Sequence, residues 1–150
     1  SLERTAKNNM RVRVIGDKTG LSEDIQKSIA DVETASAGNT GLNFTIAINY
    51  GSRDEICRAV KKIVAEGIAP EDITEQVISD HLDTAGIPDP DLLIRTSGEL
   101  RLSNYLMWQL AYTEFYFTDV PWPDFNKAEL EKAIEKYNGR DRRYGGVKEE

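Results

Sequence analysis

Apolar and polar residues alternate through MRVRVIGD, positions 10–17, and stop at Gly16-Asp17, which predicts a strand ending in a turn. Leu21, Ile25, Ile29 and Val32 then recur at helical spacing, with Ser22 placed as an N-cap and the 37–41 stretch as a terminator. LNFTIAINY, 42–50, is predicted as a second strand with Leu42, Phe44, Ile46 and Ile48 apolar. Ser52 followed by Glu55 has the pattern of a capping box, and Ile56, Ala59, Val60, Ile63 and Val64 continue as an amphipathic helix to Gly67. A short helix is expected over 73–82, and the proline-bearing GIPDPD leads into a strand at 91–95. The aromatic stretch YLMWQLAYTEFYF reads as a short helix and then a strand at 114–118. A last helix carries Leu130, Ala133, Ile134 and Tyr137 on one face, ahead of RDRRYGG.

Strands alternating with helices predict an α/β fold: a mostly parallel sheet flanked by helices, in one domain over 1–150. Ligands of such sheets bind outside the carboxyl ends of the strands. Three turns are expected there: Gly16-Asp17, the segment 49–53, and Arg95-Thr96-Ser97-Gly98. Only the last is followed by further convergent donors.

The net charge of −7 argues against a nucleic-acid partner, since such proteins usually present a basic face. Any anion site must be a local device working against the overall field. The single cysteine excludes an internal disulfide and suggests a reducing compartment, and Cys57 is expected to be a small packing residue. No apolar run approaches the roughly 20 residues of a membrane span. The opening SLERTAKNNM reads as the tail of a polar helix, so the chain is expected to begin inside a larger domain.

Arg95 ends a predicted strand, and Arg101 and Ser103 lie just past the turn at Gly98. Two guanidinium forks suit a diphosphate, and a serine hydroxyl with free N–H groups at a helix start near 103–105 would complete a cradle. The plainer alternative pairs Arg95 with Glu99 or Asp91 and leaves Arg101 as a solvated surface residue. Glu114 sits among Tyr112, Phe115, Tyr116 and Phe117, either on the wet face of a strand or as a ligand for a hard cation. His81 has no histidine or cysteine cluster around it and reads as structural or surface. There is no P-loop, dinucleotide fingerprint or serine-nucleophile elbow.

The string DLLIRTSGELRLSNYLMWQLAYTEFYFTDVPWPDF, 91–125, closely resembles two signature regions of the cis-prenyltransferases, the undecaprenyl diphosphate synthase type of isoprenyl transferase. VRVIGD, the passage at 36–51 and the terminal RRYGG are similar to the same family in the same order. The resemblance implies condensation of isopentenyl diphosphate onto an allylic diphosphate, with Mg²⁺, to build a polyprenyl lipid carrier for the cell wall. It implies that Arg95, Arg101, Ser103 and the peptide at Leu102 hold isopentenyl diphosphate, and that Glu114 is a Mg²⁺ ligand. Arg143 and Gly145 resemble a C-terminal element that in some members reaches across the dimer to the diphosphate. A cytoplasmic or membrane-peripheral homodimer is implied, with the product lipid partitioning to the membrane. Leu100 stands where some relatives have histidine, which puts a side-chain role there in doubt.

The family's phosphate loop, Asp-Gly-Asn-x-Arg-Trp-Ala, has no counterpart in these 150 residues, so no catalytic residue is assigned. The sequence is expected to be the C-terminal portion of a synthase domain, inactive alone. The alternative is a non-catalytic partner subunit that docks onto a catalytic chain.

Overall fold

The computed structural model describes residues 2–140 and divides the chain into two compact units, Ser1–Ile87 and Pro88–Glu150. The first holds α1 (Leu2–Lys7), β1 (Arg11–Ile15), α2 (Glu23–Ser36), β2 (Asn43–Ala47), α3 (Ser52–Ala65) and α4 (Glu75–His81). The second holds β3 (Leu92–Arg95), β4 (Glu114–Phe117) and α5 (Lys127–Asn138). The expected α/β class holds, with parallel strands flanked by helices, but the ladders are two separate pairs. β1 pairs with β2 in the register Val12↔Phe44 and Val14↔Ile46, and β3 pairs with β4 in the register Leu92↔Glu114 and Arg95↔Phe117. On β1 and just after it, side chains take N–H groups that β2 does not: Val12 N–H donates to Ser36 Oγ at 3.0 Å, and Gly16 N–H donates to Asp83 Oδ2 at 3.0 Å.

In the first unit the core is Val12, Val14, Ile15 and Ile29 with Ala59, Ile63 and Leu82. β2 forms where a strand was expected, but Phe44 and Ile46 on it, and Leu42 just before it, remain exposed. Phe44, Ile46 and Ile48 line an apolar groove of about 820 Å³ with Val12, Val14 and Ile29.

α3 begins differently from the capping-box expectation. Gly51 is the N-cap, Ser52 is already helical and buried, and Glu55 turns inward to accept from the Tyr50 hydroxyl at 2.6 Å. A carboxylate bound to a neighbouring hydroxyl and a distant backbone N–H (Asp83, 2.9 Å) is better satisfied there than by reaching back to its own cap. The buried face of α3 is therefore Ser52, Glu55, Ala59 and Ile63, while Val60 and Val64 point outward. Cys57 is also exposed, against its expected packing role, since it lies off that face. Gly67, at φ 69°, terminates the helix as predicted.

In the second unit Leu106, Leu110 and Ala133 are buried and α5 packs against β4. Lys136 stands over the Tyr116 ring at 5.8 Å. The helix expected after residue 103 is absent. Positive φ at Ser103 (49°), Asn104 (62°) and Leu106 (47°) is incompatible with a right-handed helix, and 103–112 forms a chain of turns instead. Among the described residues no helix is long and apolar enough to cross a membrane.

Candidate functional site

At the carboxyl end of β3 the backbone does not run free. Thr118 N–H donates to Arg95 O at 3.0 Å, Ser97 N–H to Val120 O at 2.9 Å, and Gly98 N–H to Thr118 O at 3.0 Å. Ser97 and Gly98 both lie in the left-handed region, at φ 64° and 69°, and this turns the chain back over the strand end. A second turn follows, in which Tyr105 N–H donates to Leu102 O at 3.1 Å across Ser103 and Asn104. Both central residues have positive φ, as in the mirror-image hairpin turns.

These turns bring Arg95, Arg101 and Leu102 to one cavity of about 150 Å³, shared with Leu93, Ile94 and Tyr105. Arg95 forms no ion pair with any described residue, which removes the Glu99 and Asp91 pairings considered from sequence. Arg101 does pair with Glu99, and the two are exposed at 65% and 39% of their side-chain surfaces. In water such a contact contributes little and can be exchanged for another anion. Ser103 is in the turn beside the cavity but is not part of its lining. Burial raises the Tyr105 hydroxyl pKa, so that phenol stays neutral. The missing helix means that any backbone N–H groups offered here come from turns.

Glu114 lies elsewhere. It opens β4 opposite Leu92, at the amino end of the pair, with its N–H bonded to Asp91 O at 3.1 Å. Its Oε2 accepts from Arg140 Nη1 at 2.9 Å, and the same nitrogen reaches Phe115 O at 2.6 Å. The carboxylate is a hard oxygen donor, but the described residues contain no cluster of three or more histidine, cysteine, aspartate or glutamate side chains able to hold a metal. One carboxylate shared with a guanidinium fits Mg²⁺ only as a single ligand in a set completed from elsewhere. Arg143 and Gly145 lie outside the described residues. No signal in the sequence marks Arg140 as a residue that docks on β4.

The parallel strands flanked by helices, with arginines gathered at one strand's carboxyl end, define an α/β protein of the kind that binds ligands at that rim. The model of the prenyltransferase family described as putative undecaprenyl diphosphate synthase matches residues 1–145, and this chain belongs to that family. It is 52% identical over 145 residues to an isoprenyl transferase of Brucella suis, covering 94% of this chain and 57% of that one. It is 54% identical over 146 residues to an isoprenyl transferase of Agrobacterium fabrum, covering 95% and 59%. Among solved structures it superposes on lavandulyl diphosphate synthase from Lavandula x intermedia in complex with dimethylallyl diphosphate, at TM-score 0.90 and 42% identity, covering 96% of this chain and 64% of that one. A probable undecaprenyl diphosphate synthase from Campylobacter jejuni gives TM-score 0.85 at 34% identity, with 96% and 67% covered. The chain thus spans somewhat more than half the length of the curated relatives it matches.

Proposed function

We propose that this chain is the part of a cis-prenyltransferase that holds isopentenyl diphosphate, with Arg95, Arg101, Ser103 and the Leu102 peptide around the diphosphate. The observation that carries the reading is Arg95, a guanidinium with no ion pair among the described residues, lining the same cavity as Arg101 at the end of a parallel strand. A half-buried cation left without a carboxylate is poised for an anionic ligand. The turns around it hold Ser97, Ser103, Asn104 and Leu106 at positive φ, and strain of this kind concentrates at sites that must present backbone in a fixed way.

In the reaction the family resemblance implies, the allylic carbon–oxygen bond breaks and diphosphate leaves. The isopentenyl double bond forms the new carbon–carbon bond, and a proton is lost from the resulting cation. Arg95 and Arg101 orient the nucleophilic substrate by its diphosphate, which makes the encounter effectively intramolecular. Mg²⁺, when bound, would neutralise charge on a diphosphate, and Glu114 would supply one of its ligands. The groove of the first unit, about 820 Å³, offers Val12, Val14, Ile25, Ile29, Phe44 and Ile46 to an isoprenoid tail, with Arg4, Asp24 and Asp31 also in its lining. The solved relative bound to dimethylallyl diphosphate lends support to an allylic co-substrate. A homodimer acting in the cytoplasm, releasing its lipid product to the membrane, belongs to the same reading.

Arg95→Ala and Arg101→Ala in the full-length protein should each raise the KM for isopentenyl diphosphate about ten- to a hundredfold, the worth of one charge-assisted contact. A partner subunit whose role is docking would show no such change, and unaltered kinetics in both folded variants would overturn the reading.

A further inference from the structure

At the carboxyl ends of β1 and β2 the chain is fastened by side chains that the clamp does not use. Gly16 follows β1 at φ 117°, so close to β2 that a Cβ would stand 1.9 Å from Ile48 O. Asp17 N–H donates to Asn49 O at 3.0 Å, and Asn49 Nδ2 returns a bond to Asp17 O at 2.9 Å. The third side of this turn is held from the 82–86 loop. Asp83 Oδ2 accepts the Gly16 N–H at 3.0 Å, and Arg13 Nη1 donates to Ala85 O at 2.8 Å.

No strand ladder joins that loop to β1; the Asp83 and Arg13 side chains bridge the two. Asp83 is in turn fixed twice by α3. Arg58 meets it through both terminal nitrogens, at 2.6 and 2.8 Å, while its Nε holds Asp54 at 2.8 Å. Glu55, only 1% exposed, accepts the Asp83 N–H at 2.9 Å and the Tyr50 hydroxyl at 2.6 Å. Burying a carboxylate beside a fully committed aspartate–arginine fork is costly unless every oxygen is satisfied, and here the satisfied network replaces a backbone ladder. Gly16, Asp17, Arg58 and Asp83 border one cavity of about 370 Å³ at this strand end. Of the cations lining the cavity, Arg58 and Lys18 are paired with Asp83, Asp54 and Glu33, and Arg13 is turned to the Ala85 carbonyl. Its construction suits holding backbone in place.

We propose that Asp83 is a positioning residue for the transferase: held by Arg58 and Glu55, it fixes the turn after β1 at the rim where parallel α/β sheets act on their ligands. The proposal rests on the transferase reading, and its target is the rate of the chemical step, with the clamp arginines lying in the other unit. Misplacement of a rim by an ångström costs up to about a hundredfold in rate.

The test uses the full-length protein with Asp83→Ala, Asp83→Asn and Arg58→Met. Asp83→Ala should lower kcat about tenfold or more, with the KM for isopentenyl diphosphate changed less than about threefold. Asp83→Asn keeps an oxygen for Gly16 N–H and should recover most of kcat. Arg58→Met should slow the enzyme in the same direction, and Arg58→Met with Asp83→Ala should be no slower than Asp83→Ala alone, since the two act as one unit. Amide exchange at Gly16 should quicken in Asp83→Ala and return toward the parent rate in Asp83→Asn. Unchanged kcat per folded molecule in Asp83→Ala, or in Arg58→Met if the alanine variant does not fold, overturns the proposal. So does unchanged Gly16 exchange. A parent protein with no transferase activity defeats the functional reading instead, and the Gly16 exchange then still reports whether Asp83 holds the turn.

Discussion

Arg95 and Glu114 stand at opposite ends of the same pair of parallel strands: Arg95 closes β3 opposite Phe117, and Glu114 opens β4 opposite Leu92. Three residues of strand separate the two levels, about 10 Å. Arg140 holds the Glu114 carboxylate at its own end. Within one chain, the clamp and the proposed metal ligand face different rims.

We predict that the Glu114 serving a diphosphate held at Arg95 comes from a second copy of the chain. Mixing full-length Arg95→Ala and Glu114→Gln proteins, each impaired alone when isopentenyl diphosphate is held near the parent KM, should then restore activity. Random pairing in a two-fold dimer leaves half the dimers mixed with one intact site each, so about a quarter of the parent rate is expected. No recovery after subunit exchange would mean that the two residues act in the same chain or not at all.

Gly16 and Gly98 both have positive φ, yet their alanine variants should differ. At Gly16 the new methyl meets the backbone oxygen of Ile48 at 1.9 Å, and backbone cannot swing away. Strain and clash together should destabilise Gly16→Ala by about 3 kcal/mol or more. At Gly98 the nearest atom is Asp119 Oδ1 at 3.0 Å, the end of an exposed side chain, so only the left-handed backbone penalty of about 1–2 kcal/mol remains. Urea unfolding of the two variants measures the contrast, and equal losses would count against it.

His81 is the only histidine, and its ring nitrogens face two acceptors: Val77 O at 2.6 Å and Glu66 Oε2 at 2.7 Å. A neutral imidazole carries one N–H and can satisfy only one of them. The hydrogen bond to Glu66, then that to Val77 O, raises the pKa above its ordinary 6.5, with the Asp80 charge adding to the effect. The stability contributed by the protonated ring is full below pH 6.5 and is lost as pH rises through the higher folded-state value. A histidine proton titration should show that raised value, and Glu66→Gln should bring it down. A titration at the ordinary value in the parent protein would contradict the arrangement.

Much of this was readable in the residues, and what was not has physical causes. The order of strands and helices followed from periodicity, and Gly67 ended α3 where expected. The turns at 103–106 did not, because LSNYLMWQL has helical composition and only the Ser-Asn pair hints at left-handed backbone. Glu55 looked like a cap because its spacing from Ser52 is local, whereas its actual partners include Asp83, 28 residues away. The exposure of Phe44 and Ile46 was not legible, because alternation marks a face without saying what covers it. The cavity at the end of β3 was the most legible feature: one short segment carries Arg95, Arg101 and Leu102. The Glu114–Arg140 pair was hidden by the 26 residues between them.

The central claim is that Arg95 and Arg101 bind the diphosphate of isopentenyl diphosphate. Calorimetric titration of that compound into the full-length protein and into its Arg95→Ala and Arg101→Ala variants, with circular dichroism confirming the fold, tests it most directly. Each variant should bind about ten- to a hundredfold more weakly than the parent. Variants that remain folded and bind isopentenyl diphosphate as tightly as the parent would contradict it.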